Sequence, residues 1–522
     1  MSLTAEEIRE CTMIALDQPP FWLVEAEEVF KFTITVDGTS SRPNLVRFED
    51  DYYTFFSAFS GIIFWGDGQE EDILISSFNR LPSHTFNNGT YEIKMKGHFS
   101  YRSISSSQKS TRTFLRKPAL LDSVKSKFPK AEVWRREYKD GEYVYIWNPA
   151  DPSFSVDFGC AFYNCVNLQT VPEYLFINHP NTTRIQSLFR SCRNLQYIPE
   201  KIFSYFDNIA NVYNPKANGT CNFFHGCESI TVIPNGLFDK FRSVESFESC
   251  FEGCLSITSI PADLFKYCGM VKDFRSCFAR CISLPLIPSG LFDFCIYTID
   301  FSSCFSHCSN LSVIPYGLFD NCPLVTNFSY CFGSYNGAYT YTNNVLTSIP
   351  EGLFDNCPLV TNFSYCFTHA EALTSIPHKL FSKSVNATKF TGVFQYCSSL
   401  TSIPIGLFDN CPDVTNFVGS FSFCRSLRSI PTGLFANNPN VTSFGDCFRE
   451  CAFLISIPIG LFDNCNLVTS FSACFYHCGS ITGNVPELWI SHSSARGEAC
   501  FAGCSNAANY EDIPIGWKTW GW

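Results

Sequence analysis

Hydrophobic positions in the last two-thirds of the chain recur at a fixed spacing. Val or Ile followed by proline marks each recurrence, first at Pro172 and last at Pro514. Of the twelve intervals between the thirteen prolines, eight are 27 residues long, two are 35 and the last two are 28. A fixed period of roughly 20 to 50 residues is typical of a solenoid, in which one small unit stacks on copies of itself. The pattern therefore predicts a repeat solenoid over residues 151–522.

The rung from Ser312 to Phe332 shows the elements that the pattern predicts. A short β-rich stretch ends at Pro315, which has no N–H to donate to a ladder. Residues 317–322 are rich in turn formers, and residues 325–328 (Val-Thr-Asn-Phe) alternate apolar and polar side chains as a strand does. The Cys-Phe-x-x-Cys motif that ends most rungs predicts one helical turn. The expected fold class is a mixed β/α solenoid of about 13 rungs.

Phe and Cys occur in register with the repeat, which predicts buried columns of both. The Cys-x-x-x-Cys pairs have a spacing that zinc ligands also use. However, Ala370 replaces the second Cys of one pair, and Val393 and Ser420 replace the first Cys of two others. A ligand set does not lose members freely, whereas a small buried residue can be exchanged. We therefore expect structural thiols and no metal or other cofactor.

The motif Phe-x-x-Cys-x-x-Leu-Thr-Ser-Ile-Pro, with Val-Thr-x-Phe, resembles the BspA-like leucine-rich repeats of bacterial surface proteins. The match is carried in one rung by Cys397 and residues 400–404, and in another by Cys451, Leu454 and residues 456–458. The resemblance implies a leucine-rich-repeat-like solenoid from about residue 154 to the end. Members of the family bind different host proteins and glycans, so it implies a binding surface without naming the ligand.

The N-terminal third has the pattern of a small β-sandwich over residues 20–100. Residues 30–36 alternate apolar and polar side chains, and residues 62–68 read as a strand that runs into a tight turn. Trp65-Gly66-Asp67-Gly68, with His84, Phe86, Gly89 and Tyr91, resembles PKD-like immunoglobulin-fold modules. The resemblance implies a spacer or a docking unit for other virion or surface proteins.

Two flanking segments complete the expected organisation. Thr4-Ala-Glu-Glu7 is a plausible capping box, which predicts a helix in residues 1–19 that packs on its own domain or on a partner. Residues 101–141 contain eleven Lys or Arg and four Asp or Glu, so residues 101–150 are expected to form a basic linker with a short helix.

Composition and motifs argue against several classes of protein. The net charge of −11 disfavours a nucleic-acid partner. No run of about 18 apolar residues exists to insert into a membrane, and the polar start lacks the pattern of a secretory signal. His307-Cys308 and His477-Cys478 place adjacent side chains that point apart, and the Asp after Leu-Phe recurs once per rung as a turn element. We therefore expect no enzymatic activity.

The irregularities of the repeat are better candidates for function. Each 35-residue interval inserts eight residues, and both insertions are expected near the Phe-x-x-Cys corner, four rungs apart. Loops on a rigid scaffold often carry recognition, and tyrosine and asparagine are common in binding loops. The candidate binding residues are Tyr213, Asn214, Lys216, Asn218, Tyr335, Asn336, Tyr339, Tyr341 and Asn343. Drift in a tolerant loop is the alternative explanation.

The chain ends in Trp517-Lys-Thr-Trp-Gly-Trp522, which either covers the final rung or offers Trp517, Trp520 and Trp522 as an assembly contact. The sequence favours a non-enzymatic attachment protein of a bacteriophage virion (tail, fibre or capsid surface) that binds a host-surface protein or glycan through the solenoid, with a homo-oligomer as an open alternative. A bacterial or protozoan adhesin at the cell surface and an intracellular scaffold are the other candidates.

Overall fold

The structure of the protein is a computed structural model that describes thirteen stretches of the chain. These are residues 29–36, 45–47, 56–73, 83–101, 121–126, 128, 133–139, 142–148, 158–182, 185–206, 209, 222–334 and 345–520. The chain divides into two units, Met1–Ala217 and Asn218–Trp522. The expected helix in residues 1–19 lies outside the described residues.

The described part of the N-terminal third is made of antiparallel strands. Its strands are β1 (Val29–Val36), β2 (Leu45–Arg47), β3 (Phe56–Phe64), β4 (Glu70–Ile73), β5 (Ser83–Thr85), β6 (Gly89–Tyr101), β7 (Leu121–Val124), β8 (Val133–Lys139) and β9 (Glu142–Asn148). One sheet has the order β4-β3-β6-β1-β7, and β2–β5 and β8–β9 form separate pairs. Alternation explains the sheet, because Phe30, Phe32 and Ile34 of β1 all point into the core beside Ile93 and Met95 of β6.

The residues that suggested a PKD-like module meet in one cluster. Trp65 stacks on His84 with ring centroids 4.9 Å apart, and Phe86 packs against both His84 (4.6 Å) and Tyr91 (4.6 Å). The His84 Nε2 atom lies 2.7 Å from the Asp67 carboxylate. The sequence therefore grouped side chains that do lie together in space.

Strands occupy much of residues 101–150, for which the sequence predicted a basic linker with a short helix. The described parts of that range form β7, β8 and β9. The high Lys and Arg content of the range misled the prediction, because β8 (VWRREYK) and β9 (EYVYIWN) are also rich in the aromatic and β-branched residues that favour strands.

The segment from β7 to Phe128 covers the first rung of the solenoid, within the first unit. Val124 N donates to Thr170 O (3.1 Å), and Phe128 N donates to Leu175 O (2.8 Å). The Phe128 ring lies 5.2 Å from Phe158, 5.9 Å from Phe162 and 5.8 Å from Phe176. A solenoid must cap the apolar end of its first rung, and this buried phenylalanine does so.

Neighbouring rungs are joined by two columns of short parallel β-bridges. We number each rung from its recurrent proline, which is position 0. One column lies at position 25, as in Ser402↔Ser429, and the other at position 12, as in Asp300↔Asn327 and Asn362↔Lys389. Side chains at position 12 also close a turn: Asp300 Oδ1 accepts from Ser302 N (2.7 Å) and Asn327 Oδ1 from Ser329 N (3.0 Å). Asn, Asp and Ser recur there because they make such turns well.

Between these two columns, backbone N–H groups donate hydrogen bonds alternately to a carbonyl of the same rung and to a carbonyl of the next rung. In the rung of Pro261, Phe278 N donates to Cys304 O of the next rung (2.9 Å), while Cys281 N closes a turn on Phe278 O (3.2 Å). In most described rungs the residues at positions 15 and 19 have positive φ, between 53° and 62° where they are not glycine. This left-handed geometry prevents a helix from forming. The helical turn expected at Cys-Phe-x-x-Cys is therefore wrong, and the described rungs are built of turns and bridges.

Three columns of phenylalanine fill the interior, at positions 4, 13 and 17. Along position 17, Phe278 and Phe305 stack with centroids 5.6 Å apart and ring planes 6° apart. Within a rung, Phe292 meets Phe301 edge to face at 4.7 Å. Both geometries are favourable for aromatic pairs. The interior therefore contains continuous aromatic stacks beside buried columns of leucine and isoleucine.

Cysteines fill the gaps between the phenylalanine columns at positions 7, 16 and 20. All 26 described cysteines are free thiols, and all but Cys160 are buried. At position 20 each thiol donates to a phenylalanine carbonyl of the preceding rung, as in Cys281 Sγ to Phe251 O (3.4 Å) and Cys308 Sγ to Phe278 O (3.2 Å). These thiols therefore pack and bridge rungs, as the sequence predicted for structural columns.

The last rung is covered by the C-terminal segment. The described helical segments are α1 (Leu488–Ser491), the 3₁₀ turn Tyr510–Asp512 and α2 (Ile515–Lys518). Phe501 N donates to Trp517 O (2.9 Å) and Ala499 N to Thr519 O (3.0 Å), which are the bonds that a next rung would accept. The Trp517 ring lies over Phe501, with centroids 6.3 Å apart. Trp517 therefore continues the aromatic stack and closes it.

Candidate interaction surface

All nine candidate binding residues of the two insertions lie outside the described residues, but their flanks are described. Ile209 at position 10 precedes the first insertion and Asn222 at position 15 follows it, so it fills positions 11–14. The second insertion, residues 335–344, stands between Ser334 and Val345 and replaces positions 20 and 21. The expectation that both insertions lie near the Phe-x-x-Cys corner concerns residues outside the described stretches, and it stays a prediction.

The second insertion begins and ends on backbone that is hydrogen-bonded to other rungs. Ser334 is buried, and its N–H donates to Thr368 O (3.0 Å). Val345 N donates to Ser309 O (3.3 Å). Position 19 is occupied by His307 in the rung before the insertion and by His369 in the rung after it. The two residues that flank this insertion, Ser334 and Val345, are therefore fixed on neighbouring rungs beside the position-19 column.

Position 19 combines a costly backbone conformation with large side chains. Gly226, Gly253 and Gly503 occupy it in three rungs, with φ of 70°, 73° and 81°. Tyr396 and Phe423 hold the same left-handed conformation, at φ 61° and 62°. A side chain there costs about 1–2 kcal/mol relative to glycine. Since glycine satisfies the fold elsewhere in the same column, folding alone does not explain the aromatic residues.

The aromatic residues of this column stack in consecutive rungs. The rings of His369 and Tyr396 are 4.2 Å apart with planes 10° apart, and those of Tyr396 and Phe423 are 4.4 Å apart with planes 9° apart. Arg425 and Arg449 lie over the Phe423 ring at 5.7 and 5.8 Å. We name His369, Tyr396, Phe423, Arg425 and Arg449 the aromatic corner. Tyr396 and Phe423 are half-buried and Arg425 is exposed, so a partner can reach it.

His369 is the buried end of the aromatic corner, and its environment disfavours charge. Burial, with a smaller contribution from nearby His307, lowers the pKa of His369 to about 4. Its Nδ1 atom lies 3.7 Å from the Glu371 carboxylate, which only partly offsets the burial. The imidazole is therefore neutral at pH 7.

The far end of the aromatic corner is an ion-paired cluster. Arg449 Nη1 lies 3.1 Å from Asp446 Oδ1, and its guanidinium also lies 4.9 Å from the Tyr476 ring. His477 Nδ1 lies 3.2 Å from the Glu450 carboxylate. Arg425 remains as the exposed cation next to the stacked rings. Arginine beside aromatic rings is a composition that protein interfaces favour.

The environment of Cys308, in the pair His307-Cys308, argues against catalysis by its thiol. The Cys308 thiol is buried and donates to Phe278 O, and burial raises its pKa to about 12. A thiol of that pKa is a poor nucleophile at neutral pH. Among the described residues no group of three His, Cys, Asp or Glu could hold a metal ion. No helix within the described stretches is both long enough and apolar enough to cross a membrane.

The tryptophans proposed as an assembly contact have different environments. Trp517 packs against Phe501 and Phe471 within its own unit. Trp520 is 48% exposed and lies 6.1 Å from the Tyr476 ring, while Trp522 lies outside the described residues. Trp517 is therefore part of the end cap, and Trp520 is the described tryptophan that remains open to a partner.

Comparisons with known proteins add a distant similarity. No family model matches the chain, and no curated protein matches it. A crystal structure of a TLR13–ssRNA13 complex is similar with 13% sequence identity and a TM-score of 0.20. The match covers 58% of this chain and 54% of the TLR13 chain, about half of that relative's length. The architecture described above rests on the chain's own bridges and stacked columns, and not on this similarity.

Proposed function

We propose that the protein is a non-enzymatic attachment protein that binds a host-surface protein or glycan through the aromatic corner and the adjoining insertion at residues 335–344. The aromatic corner carries the proposal. It places large side chains where the backbone favours glycine, and it does so in consecutive rungs on one edge. Strained positions that the fold does not need are a recognised mark of functional sites.

The chemistry of the corner suits recognition by contact rather than by reaction. Tyrosine, phenylalanine and arginine bury much surface for few rotatable bonds, and they dominate the energy of protein interfaces. The stacked rings fix one another, so little side-chain entropy is lost on binding. The Tyr- and Asn-rich insertion begins one residue beyond position 19 and can extend the same surface.

The setting that we propose is a bacteriophage virion, in which the N-terminal PKD-like module docks on other virion proteins and the BspA-like solenoid faces outward. The cluster around Trp65 and His84 supports a module with its own core. A bacterial or protozoan surface adhesin is the alternative, and the resemblance to BspA-like repeats supports it. Antibody labelling of phage particles and of intact cells separates the two settings.

Binding to cells tests the function. The full chain, fluorescently labelled, is titrated onto panels of gut-type bacteria and of animal cells. A variant with both Tyr396→Gly and Phe423→Gly should lose saturable binding by at least about tenfold, as hot-spot residues do. Deletion of residues 335–344 tests the insertion in the same assay.

The matched control is Tyr316→Ser, which removes a tyrosine that is 72% exposed at position 1 and is remote from the aromatic corner in the rung. Its binding should equal that of the unmodified protein. Equal binding by the double glycine variant would overturn the aromatic corner as the site. Absence of saturable binding to every cell type would overturn attachment itself.

A further inference from the structure

The rings of the aromatic corner have their faces covered by one another. The Tyr396 ring lies between two others, with His369 at 4.2 Å and Phe423 at 4.4 Å between ring centroids. These neighbours belong to the rungs before and after it, so both faces of Tyr396 are occupied. Phe423 has Tyr396 on one face, and Arg449 of the following rung lies over the ring at 5.8 Å. Because His369 is itself buried, a partner meets the rims of Tyr396 and Phe423 and not their faces.

Occupied ring faces disfavour a neutral sugar as the partner. The C–H groups of a sugar ring carry partial positive charge and pack on the negative face of an aromatic ring. The rim of an aromatic ring is instead the positive part of its quadrupole, which attracts negatively charged oxygen atoms. The guanidinium groups of Arg425 and Arg449 lie near Phe423 and add positive charge beside its rim. The aromatic corner therefore suits a carboxylate and apolar side chains better than it suits a stacked sugar.

Arg425 is the hydrogen-bond donor that is available to such a carboxylate. Its side chain is exposed, and among the described residues it forms no ion pair. Arg449, by contrast, is held by Asp446 at 3.1 Å and lies 4.9 Å from the Tyr476 ring. The Phe423 ring, 5.7 Å from the Arg425 guanidinium, restricts where that group lies, so less side-chain entropy is lost on binding. A guanidinium binds a carboxylate through two parallel N–H···O bonds.

Two carboxylates flank Arg425 along the solenoid and limit the charge of the partner. Glu371 occupies position 21, as Arg425 does, but two rungs earlier, which is about 10 Å away. Glu450 occupies position 19 of the next rung, where its carboxylate lies 3.2 Å from His477 Nδ1. A polymer with a negative charge on every unit, such as an acidic polysaccharide, is repelled by both carboxylates. A protein segment with one carboxylate between uncharged side chains avoids that repulsion.

We propose that the partner of the aromatic corner is a protein segment that presents one Asp or Glu carboxylate to Arg425 and apolar side chains to the rims of Tyr396 and Phe423. This assignment rests on the proposed attachment function and narrows its partner from a protein or glycan to a protein. Arg425 decides the specificity, because its ion pair requires a carboxylate at one place in the partner. The rims of the rings surround that ion pair and exclude water from it.

Two arginines of one rung provide a matched pair of variants. Arg425 and Arg428 are both exposed in the rung of Pro404, and of the two Arg425 is the one that lies over the Phe423 ring. Arg425→Gln should weaken saturable binding to cells at least about tenfold, because it leaves the partner's carboxylate unpaired. Arg428→Gln removes the same charge outside the contact and should weaken binding less than about twofold. Equal losses for the two variants would reveal a general attraction of negative charge and would overturn the proposal.

Selective treatment of the cell surface identifies the class of partner. The full chain, fluorescently labelled, is titrated onto cells that bind it, after digestion with proteinase K or after mild periodate oxidation, which cleaves the vicinal diols of sugars. Digestion should abolish binding, and periodate should leave the affinity unchanged within about twofold. Loss of binding after periodate would make a glycan the partner and contradict the assignment. Binding that survives both treatments would contradict it as well, because the partner would then not be a protein.

The dependence on salt distinguishes a single ion pair from many. With one carboxylate at Arg425, a tenfold rise in salt concentration should weaken binding about tenfold or less, whereas a polyanion that engages several cations loses affinity far more steeply. A steep loss would therefore exclude recognition of a single carboxylate.

The same assays distinguish the class of partner from attachment itself. If cells bind the chain and the double variant with Tyr396→Gly and Phe423→Gly does not bind, but periodate abolishes binding, attachment through the aromatic corner stands and the protein partner is wrong. If no cell type binds the chain, attachment is overturned, and the assignment of its partner with it.

Discussion

Positions 13 and 19 are six residues apart in every regular rung, yet the chain uses them differently. Position 13 is phenylalanine in every described rung from Phe247 to Phe471, and all of these rings are buried. Position 19 varies among Gly, Ser, Arg, His, Tyr, Phe and Glu, and its backbone is left-handed in nearly every described rung. Packing fixes the side chain at position 13, whereas only the backbone is fixed at position 19. Because the side chain at position 19 can change while the backbone stays the same, recognition can vary there without loss of the fold.

The largest expected effect is at position 13. Phe301→Ala should lower the free energy of unfolding by about 3–5 kcal/mol, because it opens a cavity between the stacked rings of Phe274 and Phe328. Chemical denaturation measures it. Phe453→Ala, which removes a ring that is 58% exposed, should cost less than about 1 kcal/mol. Similar costs for the two would contradict an interior held by its phenylalanine columns.

Lowering the pH should destabilise the fold through His369, which occupies position 19. The fold lowers the pKa of this group to about 4, below its unfolded value of about 6.5. Above about pH 6.5 the imidazole is neutral in both the folded and the unfolded state, and His369 does not lower the free energy of unfolding. As the pH falls towards 4 the unfolded state is protonated first, and the free energy of unfolding falls by about 2–3 kcal/mol. The variant His369→Phe, which adopts the residue of Phe423 in the same column, should lack this loss. Parallel pH curves for the two proteins would refute the assignment.

The end of the stack should be sensitive to a single methyl group. A Cβ on Gly497 would overlap the Trp517 ring, so Gly497→Ala must displace the cap. We expect a cost of about 1–3 kcal/mol, seen as a lower melting temperature and faster proteolysis of the C-terminal segment. Gly483→Ala, where nothing lies within 4 Å of the new Cβ, is the control and should be nearly neutral.

The smallest effect on stability is expected in the aromatic corner. Tyr396→Gly removes backbone strain and two ring contacts together, and these oppose each other. The free energy of unfolding should change by less than about 1 kcal/mol. Together with a loss of cell binding, that result would show that the side chain at position 19 serves binding, whereas the interior side chains serve stability. A loss as large as that of Phe301→Ala would instead make Tyr396 part of the core.

Much of the solenoid follows from the sequence because its signal repeats. The 27-residue period identified the buried Phe and Cys columns, and the aromatic tail suggested the cap that Trp517 forms. The prediction of a helical turn was wrong because the left-handed residues at positions 15 and 19 are mostly not glycine. No residue type in the sequence therefore marks these turns. Strands β8 and β9 were missed because the charge of residues 101–150, rather than the aromatic and β-branched content of these two segments, was taken as the signal.

The aromatic corner was visible in the sequence, but only by comparing rungs with one another. Tyr396 and Phe423 share a column with Gly253, and Arg425 shares one with Ser398. Each is a departure from what the chain itself uses elsewhere. Reading one rung at a time hides such departures, and so does attention to inserted residues alone. The stacking of the rings at 4.2–4.4 Å needed the three-dimensional structure.

The buried thiols give each rung a chemical reporter of its own opening. Burial raises the pKa of Cys308, Cys411 and Cys465, in three separate rungs, to about 12, so an alkylating reagent reaches them only when the rung around them opens. Nearly every described rung has at least one such cysteine. Timed alkylation followed by peptide mass spectrometry would then measure how often each rung opens, and would show whether the solenoid frays from its ends or parts in the middle.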